Sequence, residues 1–226
     1  MTYKNIIKTS IAITITWGAF FILLNISKAS YAPDEDLDTT SKNLIDTREL
    51  QKDIIKLAST DNTPSLGKRD FTPTRADVIC MAENIYHEAR GQSNVGKIAV
   101  GLVVINRVHD RRWPATICEV VFQGPVRESW KTKQQKDLDI SLREYYPIKH
   151  RCQFSWYCDG RSDYIDKTSY QWVLSLQIAE KLLNNNKYQG LLEGATHYHA
   201  DSVSPNWRLG MVFITKIDNH LFYRQD

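Results

Sequence analysis

In the segment Ile79-Cys-Met-Ala-Glu-Asn-Ile-Tyr-His-Glu-Ala-Arg-Gly91, the apolar residues Ile79, Ala82, Ile85, Tyr86 and Ala89 recur at helical spacing. That spacing predicts an amphipathic helix with one buried face. Gly91 follows the last periodic residue and is expected to cap the helix in the left-handed conformation, which glycine adopts without a Cβ clash. Glu88 then falls in the last turn. Unpaired carbonyls there disfavour an ionised carboxylate, and apolar walls would raise its pKa further. A carboxyl group kept protonated near neutral pH is what general acid catalysis requires. The bland alternative pairs Glu88 with Arg90 or Arg107 at the surface.

Outward from this helix, Ser93 is placed to N-cap a second one running through Val108. Its centre, Ile98-Ala-Val-Gly-Leu-Val-Val-Ile105, is apolar all round and predicts the buried central helix of the domain, with Gly101 letting a neighbour approach closely. Polar chemistry resumes only at Asn106 and Arg107. A last long helix is expected over 167–184, with Tyr170, Val173, Leu174, Ile178, Ala179, Leu182 and Leu183 as its apolar stripe. Short strand-like pieces at 196–199, 211–217 and 221–223, separated by turn residues, predict a small sheet beside the helices. The expected class is α+β, mainly helical, with a small β element near the C-terminus.

The run Ala82-Glu-Asn-Ile-Tyr-His-Glu-Ala-Arg-Gly91, followed by Gly96-Lys-Ile-Ala-Val-Gly-Leu-Val-Val-Ile-Asn-Arg-Val108, resembles the SleB/CwlJ-type cell wall hydrolases, the family that includes spore cortex-lytic enzymes. The likeness continues through Trp113-Pro-Ala-Thr-Ile-Cys-Glu-Val-Val-Phe122, Cys152-Gln-Phe-Ser-Trp-Tyr-Cys-Asp-Gly160 and Ala195-Thr-His-Tyr-His-Ala200, and ends in Ile217-Asp-Asn-His-Leu-Phe-Tyr223. Several ordered blocks are far more specific than one short motif. The resemblance implies a peptidoglycan-cleaving domain with a lysozyme-like, lytic transglycosylase-like fold and a single catalytic glutamate, in whose place Glu88 stands. The family pattern carries a second acid where this chain has Gln92. That departure tells against a two-carboxylate mechanism through position 92 and leaves a one-acid mechanism intact. Residues 127–151 sit where the pattern passes more directly, and read as an insertion forming a partly helical surface loop.

Within the second informative block, Phe154, Trp156 and Tyr157 offer flat faces for sugar rings, while Gln153 and Ser155 offer hydrogen bonds to hydroxyl and acetamido groups. The alternative buries Phe154 and Trp156 in a core. Tyr86 and Tyr198 are candidates for hydrogen bonds near the reaction centre, and Arg90 or Arg107 for orienting Glu88 or the glycan. Asp159 is the second carboxylate that a hydrolytic mechanism would want, although Asp-Gly is also ordinary turn chemistry. His197 and His199 share one face of an extended strand and, with Asp201, have the donor types of a zinc site. The resemblance implies no metal. Cys80, Cys118, Cys152 and Cys158 form an even set in a chain that reads as exported, which favours two disulfides and leaves their pairing open.

The 226 residues, 42% hydrophobic and 24% charged, suffice for one medium domain with extensions. Lys4, Lys8 and Lys28 are the only charges before Pro33, and without them 26 basic residues face 26 acidic ones, so nothing calls for nucleic acid. Basic Lys4 and Lys8, an apolar run and Ser30-Tyr31-Ala32 read as an export signal. Pro33 is a poor residue after a cleavage site, so an uncleaved inner-membrane anchor over residues 6–26 is the alternative. Either way the domain belongs in the periplasm or cell envelope. The expected organisation is a leader over 1–32, a linker over 33–74 with a short helix at 41–58, and a catalytic domain over 75–226.

Together these readings point to cleavage of the β-1,4 bond between N-acetylmuramic acid and N-acetylglucosamine, as a lytic transglycosylase with Glu88 as acid and then base. No cofactor or metal is expected, and the partner is the peptidoglycan glycan strand. The rival readings are a hydrolytic muramidase using Asp159 or Asp201, a zinc amidase using His197 and His199, and a non-catalytic glycan-binding envelope protein.

Overall fold

The computed structural model describes Lys52, residues 69–185 and residues 192–226. The expected leader and, apart from Lys52 and residues 69–74, the linker with its short helix lie outside the described residues. Among the described residues no helix is long and apolar enough to cross a membrane.

Helix α1 (Arg75–Ala89) begins in a reciprocal cap: the Thr74 hydroxyl accepts from the Asp77 backbone N–H, and the Asp77 carboxylate accepts from the Thr74 backbone N–H. Asp77 also accepts from the Cys118 backbone N–H at 3.4 Å, which joins the start of α1 to the short helix α3 (Ile117–Val121). The disulfide Cys80–Cys118 clamps the same pair. At the other end α1 stops differently from expectation. The positive-φ glycines are Gly160 and Gly194, so Gly91 is not a left-handed cap. The Arg90 N–H donates to the Tyr86 carbonyl in an ordinary helical bond and the Gln92 N–H to the Ala89 carbonyl in a tighter turn, an ending that needs no positive φ.

The chain then enters α2 (Asn94–His109) at once. Ser93 caps it by accepting from Gly96, and the Asp218 carboxylate accepts from both the Ser93 N–H and hydroxyl. Lys97 donates to the Gln92 carbonyl across this junction. Every residue from Gly96 to Val108 is buried, as its all-round apolar sequence predicts. At Gly101 a Cβ would meet Leu182 Cδ1 at 2.5 Å and Ile85 Cδ1 at 3.3 Å, so glycine is what lets both flanking helices close on α2.

The two-stranded ribbon of β1 (Val126–Glu128) and β2 (Tyr145–Pro147) closes the 127–151 region around a short helix α4 (Trp130–Lys133). Helix α5 (Tyr170–Leu183) packs along α1. Leu174, Ile178, Ala179, Leu182 and Leu183 of the expected stripe are buried, and the difference lies in the first turn: Tyr170 is 51% exposed, while Trp172 is buried with its ring edge toward Tyr86. The large Trp172 surface gains more from burial than the tyrosine at the helix end. The last three strands, β3 (His197–Ala200), β4 (Val212–Ile217) and β5 (His220–Arg224), form an antiparallel sheet in the order β3-β5-β4. The architecture is α+β and mainly helical.

The second disulfide is Cys152–Cys158. The two bridges close segments separated by 38 and 6 residues. A longer closed loop withholds more entropy from the unfolded chain. Replacing Cys80 and Cys118 by alanine should therefore lower the unfolding free energy by about 3–4 kcal/mol, against about 2 kcal/mol for Cys152 and Cys158. Urea denaturation of the two double variants checks this, and the reverse order would refute it.

Candidate active site

Helix α1 brings Glu88 to the rim of the core, beside fully buried Ile85 and Ala89. The side chain is half-buried. From the other end of the sequence, Tyr198 on β3 donates its hydroxyl proton to Glu88 Oε2 at 3.0 Å. Strand alternation explains how: Tyr198 turns toward the helices with Phe222, whereas His197 and His199 both meet Trp207 on the opposite face. Burial pushes the Glu88 carboxyl above its ordinary value, and the Tyr198 hydrogen bond and the Arg107 charge pull it partly back. Burial and the neighbouring carboxylate drive the Tyr198 phenol well above its ordinary range, so it remains a donor.

The end of α2 holds β3 in place. Asn106 Nδ2 donates to the Ala195 carbonyl at 3.0 Å and Arg107 Nε to the Thr196 carbonyl at 2.8 Å, both immediately before the strand. Arg107 is 4% exposed, with its guanidinium 4.2 Å from the Trp113 ring centre and 5.0 Å from that of Phe154. Burial lowers its pKa to about 10, which leaves it cationic at neutral pH.

The remaining candidates divide by location. Tyr86 is half-buried, with the Arg90 guanidinium over its ring at 5.2 Å and the Arg90 side chain otherwise exposed. Gln153 and Ser155 are exposed, and Gln153 donates its backbone N–H to the Gln123 carbonyl. Phe154 is buried against Arg107 instead of facing solvent. Trp156 is half-buried: its indole N–H donates to Asn84 Oδ1 at 3.1 Å, and its face stacks on His87 at 4.3 Å. The Cys152–Cys158 bridge therefore closes a loop whose tryptophan rests on α1 one turn before Glu88.

Asp159 accepts from the Arg161 backbone N–H at 2.7 Å, the turn geometry its sequence suggests, with Gly160 at positive φ. Asp201 is engaged by Lys216 at 2.8 Å. His199 hydrogen-bonds Tyr223, and His197 lies edge-on to Trp113. Among the described residues no group of three His, Cys, Asp or Glu side chains is arranged to hold a metal ion. Two groups escaped sequence reasoning. Asn84, fully buried on the apolar side of α1, was signalled only by being polar at a core position. Trp113 opens one of the family blocks, but nothing in its sequence context signals its contact with Arg107, which is purely tertiary.

Comparison with known proteins adds an independent line. A family model described as Cell Wall Hydrolase matches residues 91–223, a span beginning just after Glu88. A spore cortex-lytic enzyme of Bacillus cereus is 26% identical over 123 residues, covering 47% of this chain and 48% of that protein. Another, from Halalkalibacterium halodurans, is 38% identical over 47 residues, 21% of this chain and 14% of its own length. The chain thus spans about half or less of the length of these curated relatives. Among solved structures, the catalytic domain of Bacillus cereus SleB superposes with a TM-score of 0.44 at 22% identity, covering 70% of this chain and 99% of that one. The catalytic domain of a germination-specific lytic transglycosylase, SleB from Bacillus anthracis, gives 0.42 at 18% identity, with 69% and 100% covered.

The ionisation of Glu88 has a consequence for stability. Its folded pKa lies above the ordinary value of 4.5, so the folded protein retains a proton that the unfolded chain has already lost. Stability is complete below that ordinary value and declines as pH rises through the folded one. Glu88→Gln keeps a neutral side chain and escapes the decline. Its melting temperature should match wild type near about pH 4 and exceed it near about pH 8. A variant melting lower at the higher pH would contradict the burial argument.

Proposed function

The chain belongs to the cell wall hydrolase family, and we propose that it is an envelope enzyme that cuts peptidoglycan between N-acetylmuramic acid and N-acetylglucosamine by lytic transglycosylation. The observation that carries this reading is the Glu88 carboxyl, raised by burial and held on Oε2 by Tyr198. With Oε2 occupied, Oε1 is the oxygen that delivers the proton. Protonated Glu88 donates it to the glycosidic oxygen as the bond to the muramic acid anomeric carbon breaks and oxocarbenium character develops. The 6-hydroxyl of the same muramic acid then attacks that carbon, and ionised Glu88 takes its proton. One C–O bond breaks and one forms, no water is consumed, and the acid is regenerated with a 1,6-anhydro product.

The nucleophile comes from the substrate, so one protein carboxyl group is enough. A hydrolytic route needs a second carboxylate to activate water. The engagement of Asp159 by its own turn and of Asp201 by Lys216 supports the one-acid reading. Exposed Gln153, Ser155 and Arg90, together with half-buried Tyr86 and Trp156, supply the polar groups and flat faces for the glycan.

Mass spectrometry of purified peptidoglycan digested with the full chain tests the reaction. Anhydromuramic ends are expected from wild type, with a loss of about 100-fold or more in Glu88→Gln. Reducing muramic acid ends would replace transglycosylation by hydrolysis, and freed stem peptides would replace both by amidase activity. The rate should also fall as pH rises through the raised Glu88 pKa, because only the protonated carboxyl can donate.

A further inference from the structure

The outer face of the C-terminal sheet, on the side of β3 opposite Tyr198, carries a chain of ring contacts that the reaction leaves unused. Phe213 on β4 and Tyr223 on β5 are cross-strand partners with ring centres 5.5 Å apart. Trp207, in the short 3-10 turn Asn206–Gly210, meets Tyr223 at 5.6 Å and His197 at 5.5 Å. His197 in turn meets Trp113 at 5.4 Å, and the Arg107 guanidinium backs the Trp113 ring at 4.2 Å. A core cluster would seal such rings. Here Phe213 is 53% and Trp207 39% exposed, and Trp113 and His197 are half-buried. Contiguous apolar surface left open in this way marks an interaction site.

The chemistry of the face selects its occupant. Flat aromatic rings suit the apolar faces of sugars, whose hydroxyls then need polar groups at the edge. His197 supplies one. Its Nδ1 is bonded to the Thr196 hydroxyl at 2.9 Å, whereas Nε2 has no hydrogen bond among the described residues and is open to solvent. Burial, with Arg107 and Arg112 beside it, takes the imidazole down to about 4, so at neutral pH it is an uncharged ring that exchanges hydrogen bonds with hydroxyls. Both indoles touch this one imidazole, which keeps them within roughly the length of a disaccharide.

Charge points to the same occupant. Arg111 lies two residues before Trp113 and Arg208 directly after Trp207, and among the described residues neither joins an ion pair. Residues 202–217 include Arg208 and Lys216 and no carboxylate. The stem peptides of peptidoglycan carry free carboxylates, which unpaired guanidinium groups complement. In a symmetric dimer this face would meet itself and set cation against cation.

We propose that this face is a second, non-catalytic glycan-binding site, in which Trp113, His197, Trp207 and Phe213 hold a segment of peptidoglycan strand by its sugar rings and Arg111 and Arg208 engage its stem peptides. The proposal rests on peptidoglycan being the substrate, as argued above. It gives the enzyme a hold on the polymer that is separate from the bond being cut.

Co-sedimentation with purified peptidoglycan tests it, using the full chain with Glu88→Gln so that the polymer stays intact. Adding Trp207→Ala and Phe213→Ala together should weaken binding about tenfold. Arg208→Gln should make binding less sensitive to salt. Unchanged affinity in a folded double variant would overturn the proposal. So would a patch that serves another occupant: a dimer in ultracentrifugation, or binding to anionic liposomes, that the double variant loses while its peptidoglycan binding persists. Should the double variant fail to fold, the indole N–H resonances of the Glu88→Gln chain decide, with that of Trp207 assigned by Trp207→Phe. The Trp207 signal should shift on titration with a soluble peptidoglycan tetrasaccharide, and an unmoved signal would overturn the proposal. Binding is read without turnover, so residual cutting by the Glu88→Gln chain would refute the single-acid mechanism and leave the result for this face standing.

Discussion

The hydrogen bond from Tyr198 to Glu88 joins residues 110 positions apart, and most of the described structure serves to make it possible. One partner comes from the last turn of a helix and the other from a strand, so two kinds of element must be fixed against each other. Helix α2 does this. Buried along nearly its whole length, it carries α1 and α5 through the close approach at Gly101, and its final turn reaches across to the carbonyls of Ala195 and Thr196. The spine of the core thus also sets the geometry of the site.

The helices were legible because they rest on local periodicity. The core stripe of α1, the all-round apolar centre of α2 and the Ser93 cap all follow from spacing and residue type, and the glutamate was visible through its position and the surrounding family pattern. The end of α1 was misread because the Ala89 carbonyl is taken in a tighter backbone turn, so Gly91 has no positive φ to supply. The disulfide pairing was equally hidden. Cys80 and Cys118 meet because Asp77 joins α1 to α3, a contact no spacing encodes. Within the aromatic block, residue type alone could not separate Phe154, buried against Arg107, from Trp156, half-buried against His87.

Polar residues inside the core carry the information that periodicity cannot. Asn84 and Arg107 stand at positions where an apolar residue would satisfy the helical pattern, and each is explained only by a distant partner: the Trp156 indole in one case, the Thr196 carbonyl and two rings in the other. Such residues cost folding energy unless their polar groups find partners. Asn84 lies on the glutamate helix one turn before Glu88, and Arg107 in the last turn of α2.

Strand order has a consequence for the glutamate. Within the three-stranded sheet β3 pairs with β5 alone, and β4 lies between them in sequence but at the outer edge in space. The helices can form from neighbouring residues, whereas Tyr198 is secured only when a much later stretch of chain has returned to pair with its strand. The carboxyl group therefore has its hydroxyl partner only while β3 is held by β5, and loss of the C-terminal strand would leave the glutamate without it.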